Sequence, residues 1–279
     1  MMYLILAIAS SAMVSVCMRL SEKHVNNEMG MFTANYAVCI VLSFFYLKQI
    51  PTGNEAHALL WMLFLGILSG ILYLVSFVVM KVNMKHNGIV LTSTFMKLGV
   101  LIPTLMAVFV FGETPGWVRV CGILLAIIAI ITIHFEKDSV QAGSRKSLLI
   151  GLLILSGFTD AMANIYEQVG DVSLKDGYLL ITFLAAFFCA LILALHGKTK
   201  IGMKDVFFGF LIGIPNYFSA RFLLWALGQM DAVLVYPMYS IGTIIAVTLV
   251  GVLFFKEKLS KKKVIALGMI GIALCLLNV

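Results

Sequence analysis

The sequence predicts an all-α membrane protein with ten transmembrane helices in two inverted five-helix halves. Three observations predict it. Of its 279 residues 62% are hydrophobic and 12% charged, with mean hydropathy +1.06, whereas a soluble domain is roughly 45–50% apolar; a soluble globule is excluded. Apolar runs of about 17–25 residues, the length that crosses a bilayer, occur ten times. The stretch from Asn87 to Glu113, NGIVLTSTFMKLGVLIPTLMAVFVFGE, returns 144 residues later from Asp231 to Glu257, DAVLVYPMYSIGTIIAVTLVGVLFFKE.

The elements follow in order. The first run, residues 2–18, opens MMYLILAIASSA. It has an apolar core and small residues but no basic segment ahead of them, so it reads as a retained helix rather than a cleaved signal. Runs at 30–47, 57–80, 87–111 and 116–134 complete the first half. The polar segment EKDSVQAGSRK, residues 136–146, is the seam, which sets the expected domains at 1–140 and 141–279. Runs at 147–168, 177–195, 204–227, 231–255 and 262–278 make up the second half. The two copies of the repeat agree without a gap at Thr104/Thr248, Leu105/Leu249, Val108/Val252, Phe111/Phe255 and Glu113/Glu257, and beyond them Gly122/Ala266 and Ala129/Ala273 stay in register. In a membrane chain an internal repeat points to transporter architecture.

Charge sets the expected topology. Outside the helices, the odd-numbered loops carry 15 Lys and Arg, the even-numbered loops only Lys48, Arg119 and Lys175. The positive-inside rule therefore places the odd loops in the cytoplasm and both termini outside. Five helices per half reverse the sense of the second half, so the repeat is inverted. The formal charge of +7 is spread over short loops and reads as a topology signal; no nucleic-acid partner is expected. The five cysteines lie in apolar segments without ligand spacing, as packing residues do, and no metal site is expected.

The ten-helix pattern, the paired helix ends FGE (Phe111 to Glu113) and FKE (Phe255 to Glu257), and the small residues nine positions past each acid resemble the EamA branch of the drug/metabolite transporter superfamily. Two positions depart from the usual pattern. Where many relatives have proline, Val100 and Ile244 stand, and the prolines fall at Pro103 and Pro237. The resemblance implies two inverted repeats around a central cavity and transport of small molecules by alternating access.

Charges inside the apolar runs are the candidate site. Lys97 lies near the middle of the fourth run, where a lysine costs about 2.5–3.5 kcal/mol, and is read as facing protein or water. Ser156, Asp160, Asn164 and Glu167 fall at helical spacing on one face. Such a polar stripe is expected to face the bundle interior, because lipid offers no hydrogen-bond partner. Asp160 is the candidate for an ammonium or a coupling proton, with Glu167 second; a structural pair of Asp160 with Lys97 or Arg221 is the competing reading. Arg221 has Tyr217 and Trp225 one turn to either side and Asn216 close by. A guanidinium between aromatic faces suits a carboxylate or phosphate, so Arg221 is the candidate anion holder. Tyr236, Tyr239 and Ser240 beside Pro237, Ser93 in the matching part of the fourth run, and Tyr36 complete the substrate-binding set.

The expected function is secondary transport of a small polar metabolite, amino-acid-like or otherwise carboxylate-bearing. The alternative is an organic or quaternary ammonium cation in an aromatic cavity. An intramembrane enzyme or a membrane scaffold ranks below both. No Walker loop, HExxH or G-x-S-x-G is present, so no catalytic residue and no cofactor is expected. The partners are the substrate and the lipid bilayer, in a bacterial or archaeal cytoplasmic membrane. The oligomeric state is left open and is compatible with a monomer.

Overall fold

The computed structural model describes residues 1–21, 24–47, 56–134, 146–197, 199–255 and 261–277. Among them the regular elements are helical: α1 (Met2–Ser21), α2 (Glu28–Tyr46), α3 (Ala56–Leu98), α4 (Leu101–Phe109), α5 (Trp117–His134), α6 (Lys146–Val169), α7 (Lys175–His196), α8 (Met203–Leu227), α9 (Ala232–Phe255) and α10 (Lys261–Leu277), with a 3₁₀ turn at Val172–Leu174. Among the described residues seven spans are long and apolar enough to cross a membrane, in α1, α2, α3 (His57–Met80), α6, α7, α8 and α9; α5 and α10 carry shorter apolar stretches. The chain is a multi-pass membrane protein.

One boundary differs from the sequence reading. The third and fourth runs, expected to part near residues 81–86, form the single helix α3, and the break falls at Gly99 and Val100. Pro103 explains the position. Its ring has no N–H and collides with the carbonyl four residues back, which is that of Gly99. The backbone answers by tightening: the Gly99 N–H donates to the Met96 carbonyl (3.2 Å) and the Ile102 N–H to the Gly99 carbonyl (3.0 Å). Pro103 itself lies in the first turn of α4, where a missing donor is tolerated.

The chain divides into two compact units, Met1–Leu74 with Met162–Gly228, and Val75–Ala161 with Gln229–Val279, so each draws helices from both halves of the sequence. In the first unit α2 packs against α7 and α8, and α1 packs against α8. Gly209 and Gly213, one turn apart on α8, allow the close approach. A Cβ on Gly209 would lie 2.5 Å from the Met31 carbonyl oxygen, and one on Gly213 2.7 Å from that of Asn35. Gly66 and Gly70 on α3 do the same against α7, where a Cβ would meet Ile181 at 2.8 Å and Ala185 at 2.6 Å. Paired small residues four apart are how membrane helices bring their backbones together. The pairing is reciprocal: the third helix of each sequence half lies on the second helix of the other.

The same unit is tied at one end through loops. Asn27 caps α2 by accepting from the Gly30 N–H (2.9 Å) and donates its amide to the Thr199 carbonyl (2.7 Å). Asp205, 1% exposed, accepts from the Gly202 and Asn26 N–H groups at 2.7 and 2.9 Å.

In the second unit α4 lies on α9 and α5 on α10. The repeat partners Ala129 and Ala273 are both fully buried, and a Cβ on Gly122 would lie 3.2 Å from the Ala273 carbonyl. The later part of α3 is stitched to the first part of α6 by Ser76 and Thr159 (2.8 Å), and by the Asn83 amide donating to the Leu148 carbonyl (3.0 Å).

Candidate functional site

In the first unit, Tyr217, Arg221 and Trp225 project from α8 at successive helical turns and meet a side chain that the sequence reading left out, Asp176, in the first turn of α7. Arg221 Nη1 donates to Asp176 Oδ1 (2.6 Å) and to the Tyr217 hydroxyl (2.7 Å). Its guanidinium carbon lies 4.3 Å from the centre of the Tyr46 ring, 5.5 Å from that of Trp225 and 5.9 Å from that of Tyr217. Both charged residues are 8% exposed. The aromatic contacts spread the cation over three π faces, and the carboxylate neutralises it.

The neighbouring residue on α7, Lys175, makes a second pair. Its ammonium donates to Glu167 Oε1 on α6 (2.7 Å) and lies 5.9 Å from the Trp225 ring centre. Lys175 and Asp176 thus tie the start of α7 to α6 and to α8 respectively. Gly228, just past α8, leaves room for the first of these pairs: a Cβ there would lie 2.6 Å from Glu167 Oε1 and 2.7 Å from Lys175 Nζ. One helical turn before Glu167, Asn164 is 2% exposed, and its amide nitrogen has no acceptor among the described residues. The same holds for Trp225 Nε1. Buried donors without partners cost about 1–3 kcal/mol each, and both of these lie around the two ion pairs.

Tyr36 and Asn216 lie in the adjoining layer. Tyr36 packs at 6.4 Å on Phe183, which lies 6.0 Å from Tyr217; the Asn216 amide donates to Asn35 Oδ1 (3.2 Å). The remaining candidates belong to the second unit. Asp160 is exposed while Ser156 and Asn164 are buried, so the expected interior stripe does not hold at its middle. Asp160 is next to the point, between Ala161 and Met162, where α6 passes from one unit to the other. The Asp160 backbone carbonyl accepts from the Tyr236 hydroxyl (2.7 Å). Ser240 is 9% exposed and Tyr239 half-buried. The side chains of Ser93 and Lys97 lie outside the described residues. Arg221 takes Asp176 as its counter-ion, not Asp160.

Residues 1–135 match the family described as EamA-like transporter family, and residues 177–270 match Small Multidrug Resistance protein, two families of one superfamily. Both matched families belong to the drug/metabolite transporter superfamily. Together they indicate a membrane transporter of small molecules. The chain is 26% identical over 270 residues to an uncharacterised protein of Haemophilus influenzae, covering 92% of this chain and 91% of that one. A protein of known crystal structure shares its fold with a TM-score of 0.72 at 13% identity, covering 100% of this chain and 97% of that chain.

The acid of the superfamily-like FGE motif has a visible task in the structure. The Glu113 carboxylate accepts from the N–H groups of Ala232 (2.9 Å) and Val233 (2.8 Å), the first two residues of α9. The counterpart Glu257 lies outside the described residues. Sequence reasoning missed Asp176 and Lys175 because they sit where a loop was expected. The usable signal was two adjacent opposite charges directly before a long apolar run.

Proposed function

We propose that the chain carries a small carboxylate-bearing metabolite, amino-acid-like in form, by alternating access, and that Arg221 takes the carboxylate. One observation supports this most: Arg221, buried among three aromatic rings, already binds a carboxylate at 2.6 Å, that of Asp176. A substrate carboxylate would replace Asp176 on the guanidinium fork, and the released Asp176 would face the substrate's ammonium. The exchange leaves no buried charge alone, which is the condition for low cost in a low-dielectric site. The unpaired donors of Asn164 and Trp225 offer places for further substrate oxygens. Lys97 remains the second candidate cation, and Asp160 the candidate for proton coupling.

The three rings around the Arg221 cation also support the second reading, an organic ammonium cargo, because faces that hold a guanidinium hold other cations. A thermal-shift screen of the purified protein over amino acids, organic cations, nucleosides and phosphorylated sugars separates the two, since a ligand of the folded state alone raises its stability. In liposomes, Arg221→Ala is expected to abolish uptake of the amino acids that shift Tm while membrane insertion persists; uptake that survives removes Arg221 from the site. Asp160→Asn is expected to uncouple transport from an imposed pH gradient while exchange continues. Equal gradient dependence in mutant and parent rejects that role.

A further inference from the structure

The start of α9 is held from outside its own helix. The N–H groups of Ala232 and Val233 have no partner within a helix that begins at residue 232, and Glu113 supplies one oxygen to each, at 2.9 and 2.8 Å. Four residues beyond Val233, Pro237 has no N–H to offer the Val233 carbonyl. The first turn of α9, residues 232–236, therefore has one backbone bond fewer to the helix that follows it. That turn ends in Tyr236, 1% exposed, whose hydroxyl donates to the Asp160 carbonyl of α6 at 2.7 Å.

The segment that delivers Glu113 is built for the purpose. Past the end of α4, Gly112 adopts φ +73°, a left-handed conformation that costs a residue with a side chain roughly 1–2 kcal/mol. The Glu113 N–H then turns back to the Ala107 carbonyl (2.9 Å). One residue thus closes α4 with its backbone and opens α9 with its side chain. A carboxylate at a helix start gains from the N–H groups and from the helix dipole together.

We propose that Glu113 is a positioning residue of the transporter: it fixes the first turn of α9 to the end of α4, and through that turn sets Tyr236 on the Asp160 carbonyl of α6. The proposal concerns residues 107–113, 160 and 232–237 and does not depend on which cargo is carried.

The test uses the full chain in lipid nanodiscs. Hydrogen exchange in Glu113→Ala is expected to run about tenfold faster at the amides of Ala232 and Val233, with α5 and α10 unchanged. Glu113→Gln, which keeps one acceptor, recovers part of the protection. Thermal unfolding of Glu113→Gln, Tyr236→Phe and the double variant is expected to show a combined Tm loss smaller than the two single losses together, because both act on one turn. A cap that only stabilised its own helix would give additive losses. Unchanged exchange at residues 232 and 233, or additive losses, overturns the proposal. Should Glu113→Ala fail to fold, Gly112→Val keeps the carboxylate but denies the left-handed turn; it is expected to expose the same two amides, and full protection there overturns the proposal equally.

Discussion

Neutralising Asp176 leaves the Arg221 guanidinium buried without its anion, a change that costs about 3–5 kcal/mol when a buried pair is broken on one side. Asp176→Asn is therefore expected to lower Tm by far more than a surface substitution, whereas Asp176→Asn combined with Arg221→Gln recovers most of the loss yet stays inactive; differential scanning calorimetry beside liposome uptake reads both. A smaller effect belongs to Asp171, outside the spanning segments. The Ser173 hydroxyl and N–H, each at 2.7 Å from its carboxylate, hold it below the ordinary carboxylate range. A depressed carboxyl adds stability that is present above its unfolded value and lost as pH falls through the folded one. Ser173→Ala is thus expected to lower Tm near neutral pH and to make no difference in strong acid. Arg221 was legible from the chain because a cation flanked by Tyr217 and Trp225 deep in an apolar run must be held by protein groups, lipid having none to give it. Asp176 was not read, because the apolar run starts one residue after it and the adjacent Lys175–Asp176 pair was taken for part of a loop.

At the scale of helices, the small residues decide how close neighbours come. Gly209→Ala would place a methyl group 2.5 Å from the Met31 carbonyl and from the Ala34 side chain, so α2 and α8 must separate, at a cost of about 1–3 kcal/mol. Gly151 on α6 has nothing within 4 Å of such a methyl, and Gly151→Ala is expected to be neutral or stabilising by up to about 1 kcal/mol. Thermal unfolding of the two variants side by side checks the contrast. Hydropathy located the helices, because a segment that crosses a bilayer must be apolar along its span. It did not place the break between α3 and α4, because hydropathy is blind to a missing N–H. The steric effect of Pro103 on Gly99 decided that boundary over the lysines and asparagines of residues 81–87.

For the molecule as a whole, α3 matters most to topology. Its 43 residues make a helix about 65 Å long at 1.5 Å per residue, roughly twice the hydrocarbon core of a bilayer. Lys81 and Lys85 therefore lie on a helix instead of in a loop. The remaining odd-side charges still outnumber the even-side ones, and the expectation stands that both termini face outward; impermeant labelling of single cysteines placed at each end of the chain tests it, and two protected termini reverse the orientation. The inverted sense of the two halves is an expectation that rests on the odd helix count of each. The partition into units was not readable, since the contacts of Gly66, Gly70, Gly209 and Gly213 join helices from opposite halves.

The double pairing at the start of α7 bears on what the carrier does while idle. With Lys175 beside Glu167 and Arg221 beside Asp176, these four side chains leave a passing chloride or sodium ion no bare charge among themselves. On the proposed exchange, cargo that brings its own matching charges would trade places with these partners, and a simple salt ion would not. Quiet membranes and selective carriage would then spring from the same four side chains.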